Sequence, residues 1–369
     1  MDEQYTSIIT EAERLERRRQ RAEIRRKKEQ ARRRRLMIQY LPAAILVMAV
    51  LISLIVWFIR REPTPEPEPA PPPAPVVSVQ TIPEVLPPEP ELPFSAESTP
   101  STVQLGDTID SSYAVLIDPE NGSIIAEKAA DTVISPASMT KVLTLLVAAE
   151  HLTEKDMDQM FTMTREIADY CYVNDCSVMG LMIDKENLHG EQVPVRELLY
   201  GAILPSGADA SLGLATYVAG SHEAFVELMN EKLEELGISE TAHFTNCVGL
   251  YDANHKCSIY DMAIIMNAAM ENELCREVLN ARTYETLPTD YHPDGQVLSN
   301  WFMRRIEDRF TGEFQVVGAK TGYVYEAGSC AVSAGRDASG KLYLCATGDA
   351  SSSWMAIADH TALYQTYCE

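Results

Sequence analysis

The first 170 residues of this 369-residue chain contain no cysteine; the eight cysteines are Cys171, Cys176, Cys247, Cys257, Cys275, Cys330, Cys345 and Cys368. No two of them form a Cys-x-x-Cys unit, and none of the seven histidines sits in a His-Glu-x-x-His run. Zinc sites need such spacing, so neither a metal nor another cofactor is expected. Charge is missing from one long stretch, Leu36 to Phe58, which holds 23 residues without a charged side chain. That length crosses a bilayer as a helix. No small-x-small cleavage site follows Phe58, and the segment before the run is too long for a signal peptide. We therefore expect an uncleaved transmembrane helix over residues 36–59.

Acidic residues are scarce before this helix and abundant after it. Residues 1–61 carry 15 Lys and Arg against 7 Asp and Glu; the remainder carries 16 against 47. The heavier basic flank, "RRRQRAEIRRKKEQARRRR" within residues 1–35, is expected to stay in the cytoplasm and to touch anionic lipid head groups. An Arg-rich run can also bind nucleic acid. Beside an apolar 23-mer it reads more simply as a topology signal, and no nucleic-acid partner is expected. The C-terminal part then lies outside a cell membrane crossed once. Residues 60–102 are dense in proline and glutamate. Such a segment neither pairs in a sheet nor propagates a helix. About 40 residues extended at roughly 3.1 Å each span on the order of 100 Å, so this is a semi-rigid spacer.

Residues 103–369 read as one domain. Tyr113–Ile117 and Ser123–Ala126 flank a turn and form a hairpin. From Met139 apolar residues recur at helical spacing. Residues 152–310 look mainly helical, including "EAFVELMNEKLEELG" with Gly237 as its stop, and "IYDMAIIMNAAMEN" capped by Ser258 or Asp261. Period two returns in "FQVVGAKTGYV", "GSCAVSAGRD" and "KLYLCATGD", followed by a last helix. Strands from both chain ends with helices between them make an α+β domain with an antiparallel sheet.

The run "ISPASMTKVLT" places Ser138 and Lys141 three residues apart at a helix start. A serine hydroxyl needs a base, and a neutral lysine on the same helix face can serve. Burial and the helix N-terminus would lower the lysine pKa from its ordinary ~10.4. The helix N-terminus also offers free N–H groups for an oxyanion. Alone, Ser-x-x-Lys is a weak signal. Ser206-Gly207-Ala208 follows about 70 residues later, and Lys320-Thr321-Gly322 falls on a late strand.

That order resembles the penicillin-binding proteins and serine β-lactamases. It is most similar to the low-molecular-weight serine-type D-Ala-D-Ala carboxypeptidases. The likeness runs from about Tyr113 to the C-terminus and includes "SPASMTKVLT", "LLYGAILPSGADA", "HFTNCVGLYDANHKCSIYDMA" and "AKTGYVYEAGSCAVSAGRD". The resemblance implies a β-lactamase/DD-peptidase-like fold. It makes Ser138 the nucleophile, Lys141 its base and Ser206 a proton relay. Lys320 and Thr321 would bind the substrate carboxylate beside Gly322, and the N–H groups of Ser138 and Tyr323 would hold the oxyanion. The implied substrate is a peptidoglycan stem peptide ending in D-Ala-D-Ala, with β-lactams as covalent inhibitors. A β-lactamase of the same fold and a catalytically weak peptidoglycan-binding module are the alternatives.

One position departs from the family pattern. Ala208 stands where the second motif usually ends in Asn, so a neighbour or water must replace the carboxamide, or activity or substrate preference differs. His255 reads as structural, and Asn246 and Asp209 as turn or cap residues. Larger members carry a β-rich second domain and a C-terminal amphipathic helix, which are not expected here. In an oxidising compartment the cysteines can pair. Cys171 and Cys176 read as a local disulfide, and Cys330 and Cys345 as a bridge between adjacent strands at nearly matching register. Free buried thiols are the alternative.

Overall fold

Strands from the two ends of the domain meet in the middle of one sheet. The structure is a computed structural model in which residues 93–368 are described, apart from positions 185, 187 and 311. The basic segment 1–35, the membrane helix 36–59 and the linker up to residue 92 lie outside the described residues. Among the described residues no helix is long and apolar enough to cross a membrane. Six strands build the main sheet: β1 (Glu97–Gln104), β2 (Tyr113–Asp118), β3 (Ser123–Lys128), β4 (Gln315–Val324), β5 (Gly328–Arg336) and β6 (Leu342–Ala350). Their order is β1-β3-β2-β6-β5-β4. Strands β2 and β6 pair antiparallel, with Ile117 opposite Leu344.

Both faces of this sheet are covered, which explains its sequence character. Strand β5 is buried along nearly its whole length. A strand sandwiched between layers reads as continuous apolar and small residues rather than as alternation. Val115, Ile117, Val332 and Ala346 face the larger core; Ala114, Leu116, Ala331 and Cys345 face the smaller one. The larger core is filled by α1 (Thr140–His151), α2 (Arg165–Val173), α3 (Val195–Ile203), α4 (Ala208–Ala219), α5 (His222–Glu235), α6 (Ile259–Glu271) and α7 (Glu273–Asn280). The smaller core is closed by α8 (Ser353–Tyr367) and the short helix Met303–Ile306.

Several expected caps are present. Ser258 and Asp261 form a reciprocal capping box at the start of α6. Gly237, at φ +71°, ends α5, with Ile238 N–H donating to the Leu233 carbonyl at 3.0 Å.

Two expectations change. Strand β1 begins at Glu97, inside the stretch read as linker, so the 102/103 boundary falls within a strand. It pairs with β3 in parallel, making the sheet mixed rather than wholly antiparallel. Its eight residues, ESTPSTVQ, are almost all exposed and leave no apolar pattern to read. Pro100 is tolerated because β1 is an edge strand, and the register shifts between Ser98 and Val103. Cys330 and Cys345 do not face each other. Cys345 pairs with Ser333, and the register shifts between Ser329 and Ala331. Cys330 points into the larger core and Cys345 into the smaller one. Opposite faces of a sheet cannot be bridged by a disulfide. All eight cysteines are free thiols.

Candidate active site

Ser138 sits in a single turn of 3-10 helix, Ala137–Met139, that leads into α1. The preceding Ala137 has φ +50°. A non-glycine residue in the left-handed region costs about 1–3 kcal/mol and persists only where its surroundings enforce it. Two glycines press on this turn from outside. A Cβ on Gly249 would lie 2.0 Å from the Ala137 carbonyl oxygen, and one on Gly322 would lie 2.9 Å from the Pro136 carbonyl oxygen. Lys-Thr-Gly ends in glycine where strand β4 touches the backbone of the Ser138 turn.

The side chain of Lys141 reaches back along α1. Its Nζ lies 3.1 Å from Ser138 Oγ and donates to the Val248 carbonyl at 2.6 Å. It is 2% exposed. Burial pulls its pKa down to about 8, against the opposing pull of acidic neighbours, Asp209 among them. Roughly a tenth of such a lysine is neutral at pH 7, enough to work as a base whose pKa lies near the operating pH.

The second and third motifs also meet. Lys320 Nζ donates to Ser206 Oγ at 2.9 Å and to the Thr321 carbonyl at 2.8 Å. Burial, and then the charge of Lys141, hold the Lys320 pKa well below its ordinary value. Since Lys320 donates to Ser206, the Ser206 hydroxyl hydrogen is free to point elsewhere. Ser206 itself has φ +62°, at the turn that opens α4. Lys320 pairs with Val332 in the sheet register, so both side chains lie on the face that looks toward α1. Tyr323, farther along β4, is 60% exposed at the end of the strand that borders the nucleophile turn.

Residues read as turns prove to organise the site. Asn246 Oδ1 accepts from the N–H groups of Val248, Gly249 and Leu250 at 3.2, 2.7 and 3.0 Å. This loop aims the Val248 carbonyl at Lys141. Asp209 accepts from Met179, Gly180 and Leu181 N–H, and Ala208 N–H donates to the Ser177 carbonyl. The departure at Ala208 thus leaves Lys141 anchored by a backbone carbonyl. That partner was illegible because a carbonyl has no residue signature. The visible hint was an asparagine three residues before a glycine, a common turn chemistry.

His255 braces the Ser138 turn. Thr245 N–H donates to its Nδ1 at 3.0 Å, so Nε2 carries the hydrogen and donates to Thr140 Oγ1 at 2.8 Å. Thr140 Oγ1 donates in turn to the Ala137 carbonyl at 2.7 Å. Burial pushes the His255 pKa down to about 3, so the ring stays neutral.

A serine with a buried lysine, and a second lysine with a second serine, is the geometry of acyl transfer. A family model described as D-alanyl-D-alanine carboxypeptidase matches residues 97–349. The chain belongs to this family. D-alanyl-D-alanine carboxypeptidase DacF of Bacillus subtilis is 35% identical over 219 residues, covering 59% of this chain and 52% of DacF. DacA of Escherichia coli K12 is 32% identical over 224 residues, covering 60% and 51%. The chain thus spans about half the length of these two curated relatives. The crystal structure of the Streptomyces K15 DD-transpeptidase superposes with a TM-score of 0.61 at 27% identity, covering 70% of this chain and 97% of that one. Serine DD-peptidases therefore share both the family and the fold of residues 97–349.

Proposed function

We propose that this protein is a serine-type D-alanyl-D-alanine carboxypeptidase that removes the terminal D-alanine from peptidoglycan stem peptides. The observation that carries the reading is Lys141 Nζ at 3.1 Å from Ser138 Oγ, in a buried setting that lowers its pKa. Neutral Lys141 takes the Ser138 proton as Oγ attacks the carbonyl carbon of the penultimate D-alanine. The oxyanion forms against the Ser138 and Tyr323 N–H groups. Collapse breaks the C–N bond, and Ser206, already accepting from Lys320, gives its proton to the leaving amine. Water then hydrolyses the acyl-Ser138 ester with Lys141 again as base. Lys320 and Thr321, beside Gly322, hold the terminal carboxylate by a charge-assisted hydrogen bond and a hydroxyl. β-Lactams acylate the same serine.

The apolar run 36–58 anchors the chain in a cell membrane with its N-terminus in the cytoplasm, and the proline-rich stretch holds the domain out toward the wall. These placements rest on the sequence alone.

The experiment uses purified full-length protein and a peptide ending in D-Ala-D-Ala, with D-alanine release as the readout. Release is expected from the parent and none from folded Ser138→Ala. A folded parent that releases no D-alanine would exclude the reading. Equal release by Ser138→Ala would exclude the nucleophile. The named structural neighbour is a DD-transpeptidase, so repeating the assay with an added amino-acid acceptor separates hydrolysis from transfer of the acyl group.

A further inference from the structure

Helix α2 ends beside the active site in a way that brings two cysteines together. Cys176 N–H donates to the Cys171 carbonyl at 3.0 Å, and Asp175 N–H to the Tyr172 carbonyl at 3.4 Å. Asp175 takes φ +52°. These are the two bonds and the left-handed residue of a Schellman motif. In that motif the third residue from the helix end and the second residue beyond it touch, normally as an apolar contact. Here those two residues are Cys171, within the larger core, and Cys176, packed against that core. Helix α5 ends in the same motif with Gly237 and the apolar pair Leu233 and Ile238. The exchange of an apolar pair for two thiols is what singles out α2.

The two thiols differ. Cys171 is buried and Cys176 is half-buried. The hydrogen bond from Cys171, and then the charge of Lys141, lower the Cys176 pKa. The bond to Cys176, and then burial, raise that of Cys171. A half-buried thiol of lowered pKa, set beside a buried one at the same helix end, is the arrangement of an attacking and a resolving cysteine.

We propose that Cys176 and Cys171 form a reversible dithiol/disulfide site at the edge of the active site, oxidised by exchange with a small-molecule or protein disulfide. The Cys176 thiolate attacks one sulfur of the external disulfide, forming a mixed disulfide and expelling one thiolate. Cys171 loses its proton to solvent and attacks the Cys176 sulfur. The internal bond forms and the second external thiol leaves. Two protein thiols and one external disulfide become one protein disulfide and two external thiols.

The site acts on Lys141, and this part rests on the carboxypeptidase reading. The charges of Cys176 and Asp209 bear on Lys141, and its own charge bears on Lys320 and His255. A thiolate at Cys176 holds Lys141 in its cationic form; a disulfide has no charge and releases it. Oxidation therefore moves the acid limb of the pH–rate profile to lower pH.

The test exposes reduced full-length protein to glutathione disulfide, alkylates the remaining thiols and maps them by mass spectrometry. The expected result is joint loss of alkylation at Cys171 and Cys176, an internal bridge two hydrogens lighter, and reversal by dithiothreitol. Cys171→Ser should stop at a glutathione adduct on Cys176, and Cys176→Ser should leave Cys171 alkylatable only on unfolding. Persistent alkylation of Cys176, a lasting adduct with Cys171 present, or a bridge from Cys176 to Cys247 would overturn the proposal. None of these readouts uses activity, so a missing D-alanine release leaves them intact. A mapped bridge with an unmoved acid limb would overturn the coupling to Lys141.

Discussion

The ammonium of Lys141 donates to the carbonyl of Val248 at 2.6 Å, across 107 positions of sequence. This bond fixes the lysine end of the Ser138 pair without a carboxamide at position 208. It comes from a loop whose three successive N–H groups converge on Asn246.

Asn246 is therefore a positioning residue. Asn246→Ala leaves three N–H groups without their acceptor, which costs about 1–3 kcal/mol. Thermal denaturation should register that loss, and kcat should fall more than KM rises because the base loses its orientation. Asn246→Asp keeps the acceptor oxygen and should recover most of the kcat. A normal kcat in Asn246→Ala would show that Val248 does not need this loop to hold Lys141.

Acylation should follow the titration of Lys141. Burial places its pKa at about 8, and only the neutral amine accepts the Ser138 proton. The rate kcat/KM for D-alanine release should rise with pH and level off above about 8. Lys141→Ala should lower the rate by about 10²–10⁴-fold. A flat profile between about pH 6 and 9 would remove Lys141 from the role of base.

The two glycines against the nucleophile turn should not tolerate a methyl group. Gly249 combines φ +81° with a Cβ position 2.0 Å from the Ala137 carbonyl oxygen. Gly249→Ala should cost at least about 1–3 kcal/mol. Gly322→Ala, with its tightest contact at 2.9 Å, should keep the fold but displace the turn and slow β-lactam acylation of Ser138 by about 10²-fold. Melting temperature and acylation rate separate the two effects. An unchanged acylation rate in Gly322→Ala would mean that β4 does not position the serine.

Two buried imidazoles should make the domain sensitive to acid. His255 and His360 are pushed by burial from 6.5 down to about 3. The unfolded chain binds protons at the ordinary value, whereas the folded chain refuses them until far lower. Their stabilisation is complete above about pH 6.5 and drains away as pH falls toward 3, on the order of a few kcal/mol each. Melting temperature should drop over this window, and His255→Gln should flatten the slope while weakening the brace on Thr140. An identical slope in the variant would show that the folded ring protonates normally.

Much of the fold was legible because its signals are local. Short runs of apolar and small residues marked β2, β4, β5 and β6, helical periodicity marked α5 and α6, and the capping pair Ser258 and Asp261 marked where α6 begins. The first motif could be read because Ser138 and Lys141 lie three residues apart, whereas Ser206 and Lys320, 114 positions apart, were joined only by the order they share with the family. Strand β1 could not be read, since an exposed edge buries no apolar face and leaves no pattern.

What the sequence alone determined is the chemical inventory and the order of its carriers: Ser138 with Lys141, then Ser206, then Lys320, behind an apolar run and a proline-rich stretch. What tertiary structure alone decided is which distant groups meet. It set Val248 rather than a side chain on Lys141, put Cys330 and Cys345 on opposite faces of the sheet, and closed a helix end so that the backbones of Cys171 and Cys176 meet. The physical reason is that local propensity acts through neighbouring dihedrals. Register, bulges and backbone carbonyls are settled by packing the whole sheet against its helices, where no single residue carries the signal.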